Sequence, residues 1–214
     1  MAAITFPLDL LATFPGWSTK FELQYRQERS RTAGGRTIAK DLGSPIWRAT
    51  YQSKEMRPNS VDEWRARLES MDGGLQTFLG YNMSRCYPIL YPRGTWPTGS
   101  SFTGLTASLE NIQSDRKRID VTGLPAGFKF SVGDMLQIGD TDLHRVMNVV
   151  TASGAGTAVQ VEIRPGLWPA AVIGLPVSVR KPHCIMSIDP DTIDTQTDKR
   201  TGRGSIVFDA WEAR

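Results

Sequence analysis

The last strand-like segment of the chain, "GSIVFDAWEAR" at positions 204–214, has no obvious partner beside it in sequence. A strand must pair its backbone N–H and C=O groups. The five strand-like runs before it are short and separated by turns, so they pair among themselves. The terminal segment is therefore expected to return to a sheet begun near the N-terminus. Residues 1–95 and 183–214 then form one discontinuous domain, and residues 96–182 an insertion. The insertion leaves and rejoins the first domain near Cys86–Pro92 and Pro182–Cys184, which would bring the two cysteines close together.

The texture of each part supports this division. "KFELQYRQE" at 20–28 alternates, with Phe21, Leu23 and Tyr25 on one face and Glu22, Gln24 and Arg26 on the other. Period two predicts a half-buried strand. "RTAGG" follows as a turn in which Gly34 and Gly35 can take positive φ, and "RTIAKDLG" begins a return strand. "PIWRATYQS" at 45–53 reads as another strand with Trp47, Ala49 and Tyr51 on one face. "NSVDEWRARLESMDGG" is helical: Val61, Trp64, Leu68 and Met71 share one face. Ser60 and Glu63 have capping-box spacing, and Gly73-Gly74 ends the helix. "YPILYPRGTWPTGSSFTG" is a Pro- and Gly-rich connector, including Gly99.

Beyond it, "KRIDVTGLP", "SVGDMLQIG", "LHRVMNVV", "AVQVEIRP" and "PVSVRKP" are short β-branched runs between Gly and Pro turns. Five such strands predict a small closed or half-closed barrel. The fold class is thus mainly β with one amphipathic helix, a β-rich α+β protein. Apolar residues make up 40% of the 214, enough for a real core.

Chemistry is sparse. His144 and His183 have no metal-type spacing around them, and His144 lies in a strand pattern, where a structural role is expected. No nucleophile elbow, zinc-protease, P-loop or dinucleotide motif occurs. Asp189, Asp191 and Asp194 in "DPDTID" lack the glycine and closing glutamate of an EF-hand loop, so a solvated turn is favoured over a cation site. Cys86 and Cys184 read as reduced thiols. No enzyme activity, cofactor or metal is expected. "MAAITFPLDLLATFPGW" has no basic leader and is interrupted by Pro7 and Pro15, a poor signal peptide. No stretch approaches the ~18 apolar residues of a membrane span. A soluble protein without a membrane partner is expected.

Two features invite a binding role. Arg26, Arg29, Arg31 and Arg36 crowd into "RQERSRTAGGRT" (26–37). A solvated loop, a contact with another subunit and a nucleic-acid grip are the three readings. No aromatic side chain interleaves the arginines to stack on bases, and 25 basic against 22 acidic residues is close to balance. Of six tryptophans, Trp47, Trp64 and Trp211 fall at inward positions, whereas Trp96 and Trp168 flank turns of the insertion and are interface candidates.

The order of these parts resembles the distal and minor tail proteins of long-tailed bacteriophages. The features that carry it are the strand pair with a charged connection, the single helix followed by "GGLQTFLGYN", the insertion from "TGLPAGFKFSVGDMLQIG" to "GLPVSVRKP", and the final "FDAWE". The resemblance implies a tail-tube-like sheet domain carrying an inserted small β-barrel. It implies a homo-oligomeric ring, six copies in the family, between the tail tube protein and the tail hub proteins. DNA passes through such a ring without sequence-specific binding. The location implied is the virion tail tip, after assembly in the bacterial host cytoplasm. Arg26, Arg29, Arg31 and Arg36 then become subunit-interface residues. The alternative is a nucleic-acid-binding protein whose insertion is an OB-like barrel.

Overall fold

The computed structural model describes residues 4–97 and 100–213. Gly99 of the connector, the first three residues and Arg214 lie outside them. In chain order the elements are β1 (Gly16–Gln24), β2 (Gln27–Arg31), β3 (Thr37–Asp41), β4 (Ile46–Ser53), the helix α1 (Pro58–Glu69) and β5 (Thr77–Gly80). Then come β6 (Ala107–Ile112), β7 (Arg118–Thr122), β8 (Lys129–Phe130), β9 (Met135–Ile138), β10 (Asp142–Val146) and β11 (Val150–Thr151). The last are β12 (Ala158–Arg164), β13 (Pro176–Ser178), β14 (Cys184–Ile188) and β15 (Val207–Glu212). The protein is mainly β, with a single α-helix among the described residues and a closed six-stranded barrel.

A five-stranded antiparallel sheet runs β1-β4-β15-β14-β5. The terminal strand β15 lies between β4, in register Val207↔Gln52 to Trp211↔Arg48, and β14. One face is core: Trp47, Ala49, Tyr51, Phe78, Met186, Phe208 and Ala210 are all buried. Across this face lies α1, which buries Val61, Trp64 and Leu68, with Met71 just beyond. Phe14 meets Trp64 edge-on at 5.1 Å and Phe208 at 5.7 Å, tying the helix to the sheet.

The helix begins earlier than the capping-box pattern predicts. Pro58 occupies the first turn and Arg57, in extended conformation, precedes it without a side-chain cap. Proline lacks the N–H that would be left over there and presets a helical φ. Ser60 is thus inside the helix, and Glu63 pairs with Arg67 at 2.6 Å. At the other end the chain turns at Asp72–Gly74. Gly74, at φ +95°, passes so close to β14 that a Cβ would sit 2.4 Å from the Ile188 carbonyl oxygen.

Parity corrects one tryptophan. Phe208, Ala210 and Glu212 face inward on β15, so Trp211 faces out. There Arg48 lies 4.8 Å over its ring and pairs with Asp209 at 2.6 Å. The buried Glu212 carboxylate accepts from the Trp47 backbone N–H at 2.9 Å.

The barrel closes in the order β10-β12-β7-β6-β13-β9, with β9 paired back to β10. Its core holds Leu109, Ile119, Val121, Phe128, Phe130, Leu136, Val161 and Ile163. The sequence pattern misses β6, because Glu110 and Asn111 interrupt its alternation at a register shift between Leu109 and Asn111. The barrel does not hang free. Met135 and Leu143 join the apolar core of the sheet. Trp47 Nε1 donates to the Leu143 carbonyl at 2.8 Å, and Arg145 donates to the Phe21 carbonyl at 3.1 Å. His144 is fully buried, its Nδ1 donating to the Pro165 carbonyl at 2.8 Å. The chain enters and leaves the barrel side by side, where the Lys181 N–H donates to the Cys86 carbonyl at 2.6 Å. No disulfide joins Cys86 and Cys184.

Two predictions follow from this packing. Trp64→Ala removes a ring that fills the helix–sheet seam, and is expected to cost about 3–5 kcal/mol. Urea denaturation checks this; a midpoint equal to the parent's would show that the stripe is not core. The second concerns Asp209. Burial raises its carboxyl pKa, but hydrogen bonds from Thr50 and Arg48 and the guanidinium charge outweigh that, leaving it below its ordinary value. A depressed carboxylate stabilises the fold fully above the ordinary pKa of about 3.9, and loses that effect as pH falls through the folded value. Asp209→Asn is expected to cost about 0.5–1 kcal/mol at pH 7, kept small by the partial exposure of Arg48. The gap between variant and parent should shrink below pH 4, as urea midpoints at pH 7 and pH 3 would show.

Candidate self-assembly surface

The predicted strand over 20–28 divides in two. β1 ends at Gln24, opposite Ile46, because β4 offers no residue beyond that point to continue the ladder. The chain then pairs with its own return strand, and β2–β3 forms a separate two-stranded arm. Leu42 N–H donates to the Arg26 carbonyl at 2.8 Å, carrying the pairing to the arm's root. At its tip Thr32 N–H donates to the Arg36 carbonyl and Gly35 N–H to the Thr32 carbonyl, both at 2.9 Å. Gly35 takes φ +78°, which the turn requires, whereas Gly34 does not adopt positive φ.

From Gln24 to Leu42 every residue is exposed. That is unusual for a β element, since an isolated two-stranded ribbon is at best marginally stable in water. The register sorts its side chains. Arg29 and Arg31 share a face with Gln27, Ala39, Thr37 and Asp41. Glu28, Ser30, Ile38 and Lys40 lie on the other. Tyr25, Ile38 and Leu42 are each more than half exposed.

The arm carries five basic side chains (Arg26, Arg29, Arg31, Arg36, Lys40) against Glu28 and Asp41, a net +3. That equals the formal net charge of the whole chain, so the remainder is balanced. Eight ion pairs occur among the described residues, and none includes these five cations.

The two tryptophans read as interface candidates sit elsewhere. Trp96 packs on its own barrel, 5.0 Å from Phe102 and 5.9 Å from Phe128 between ring centroids. Trp168 is half-buried on a loop anchored by Arg116, which donates to the Leu167, Trp168 and Ala171 carbonyls. Trp168 lines a groove of about 700 Å³ between the arm's root (Tyr25, Asp41) and the barrel (Arg116, Arg164). The structure therefore does not bring the arginines and the two tryptophans into one site. Asp189, of the acidic "DPDTID" stretch, caps its own turn by accepting from Asp191 N–H, and also accepts from the Trp211 indole at 3.4 Å.

Sequence reading overlooked Trp17, which is 78% exposed on β1. Strand β1 is an edge of the five-stranded sheet; the opposite edge, β5, is covered by Leu8, which bridges to Phe78. The signal for the arm itself was present: the run at 27–31 holds no apolar residue, as suits a strand with no buried face.

No protein-family model and no curated protein matches the chain.

The arm supplies no buried residue, so its removal is expected to spare the body. Replacing residues 27–41 by a short Gly-Ser turn should leave the melting temperature within about 3 °C of the parent. A large drop would show that the arm supports the fold from within.

Proposed function

We propose that this protein is a structural component of the tail tip of a phage or phage-like particle. Copies form a ring, six by family resemblance, around the DNA channel between the tail tube protein and the tail hub proteins. The observation that carries this reading is the β2–β3 arm: ordered, fully exposed and net positive, with its five cations outside any ion pair. Such an element is completed by a partner. The balanced remainder of the chain supplies carboxylates for it on another copy, and the planar fork of arginine suits them. The order of strands, helix and insertion described above adds the family resemblance. DNA passes the ring without being read, since the arginines have no interleaved aromatic residues.

The nucleic-acid-binding alternative draws on the closed barrel and the same cations. The two readings part in one experiment. Arg29→Glu with Arg31→Glu is expected to shift the full chain from multimer toward monomer in light scattering. Single exposed ion pairs are worth only about 0.2–1 kcal/mol, so each substitution alone does little. The loss should be larger at low salt, where repulsion is least screened. Unchanged assembly together with lost, salt-dependent binding of single-stranded DNA would overturn the ring and favour the alternative.

A further inference from the structure

A second cationic surface lies at the end of β1 opposite the arm, and it carries the aromatic side chain that the arm's arginines lack. Strand β1 has a register shift between Gly16 and Ser18, so Trp17 is the extra residue of a bulge. Bulges re-aim a side chain, and Trp17 is 78% exposed. It lines a groove of about 490 Å³ together with Lys54, Glu55 and Gln196. A neighbouring groove of about 500 Å³ shares Lys54 and Glu55 with it and adds Arg57.

Backbone pairing sets a second basic segment beside 54–57. Met56 N–H donates to the Gly204 carbonyl at 2.8 Å. Gly202 comes so near Pro58 that a Cβ would lie 2.8 Å from its ring. Together, 54–57 and 198–204 hold Lys54, Arg57, Lys199, Arg200 and Arg203 against Glu55 and Asp198, five cations less two anions, a net +3. Both anions are occupied. Glu55 pairs with Arg203 at 3.6 Å, and Asp198 accepts from the N–H groups of Arg200 and Thr201 in its own turn. The other acid lining these grooves, Glu63, is paired with Arg67. Lys54, Arg57, Lys199 and Arg200 are exposed and belong to none of the ion pairs among the described residues.

An exposed indole beside unpaired cations suits a ligand that has both phosphates and free base faces. Lysine and arginine neutralise phosphates, and an aromatic ring stacks on any unstacked base without reading its identity. A duplex keeps its base faces stacked, and a chain of carboxylates has none to offer. We infer that this surface binds single-stranded nucleic acid independently of sequence, with a base on Trp17 and phosphates on Lys54 and Arg57. Lys199 and Arg200 add to the local positive field. The surface belongs to neither the arm nor the barrel, so this activity goes beyond the ring reading and does not depend on it.

Anisotropy of a labelled oligothymidylate with the full chain tests this. Trp17→Ala should weaken binding about tenfold, and Trp17→Phe should hold it within about threefold of the parent. Lys54→Ala with Arg57→Ala should reduce the slope of log affinity against log salt by about 1.4, as two lost phosphate contacts on a single strand require. Arg29→Glu with Arg31→Glu should leave affinity within about threefold at about 0.15 M salt, where charges more than ~8 Å away are screened. Equal affinity of Trp17→Ala and the parent, an undiminished salt slope in the Lys54/Arg57 variant, or no binding by the parent at about 50 mM salt would overturn the inference. So would polyglutamate competing as well as unlabelled oligothymidylate, since charge alone would then be what is bound. The ring stands or falls separately, by light scattering of the arm variant.

Discussion

Trp47 is the interaction on which the two β systems depend. It lies on β4, is wholly buried, and packs against Phe21 at 5.1 Å between ring centroids. Its indole N–H reaches across to the Leu143 carbonyl of the barrel, and its backbone N–H is taken by Glu212 of the terminal strand. Arg145 of the barrel lies 5.1 Å over the same ring. Indole unites a large apolar surface with one donor that must be satisfied when buried. Here the donor's partner is a carbonyl of the inserted segment, so the side chain that fills the sheet core also fixes where the barrel sits. Met135 and Leu143 extend that core across the boundary.

The surface follows from the same economy. Both apolar clusters are filled by the chain's own side chains: β4, β15 and α1 around Trp64 and Phe208, and the barrel strands around Phe128 and Leu136. The arm has no share in either. Its backbone is ordered by its own ladder, yet all of its residues are exposed, and burial is what ordinarily offsets the entropy of ordering a chain. Edge strands and free ribbons are templates for association. The five cations on this ribbon belong to none of the ion pairs among the described residues, while the rest of the chain is balanced in charge.

Much of the fold was legible because it obeys a single period. The 45–53 run alternates cleanly since β4 is a central strand with one face on the core, and the Val61, Trp64, Leu68 stripe is legible because α1 buries only one face. Where period and environment part, reading fails. Alternation over 20–28 gave no sign that the ladder partner ends at Ile46. The helix start was hidden by Pro58, which competes with the Ser60 cap. Trp211 was misplaced because hydrophobicity alone does not reveal that Glu212 takes the inward position to hold Trp47. Of the candidate surface, the cationic arm was legible, being contiguous at 26–36. Its separation from Trp96 and Trp168 was not, because Trp96 packs on its own barrel and Trp168 sits on a loop held by Arg116, placements that only the fold sets.

The central claim is that the arm is an element completed by another copy. Amide hydrogen exchange across residues 27–41 tests it most directly, measured on the intact chain at a dilution where it is monomeric and at a concentration where it assembles. The account predicts fast exchange at dilution and strong protection on assembly, confined to the arm and the surface that receives it. Fast exchange of the arm under both conditions, in a sample that light scattering shows to be multimeric, would contradict it.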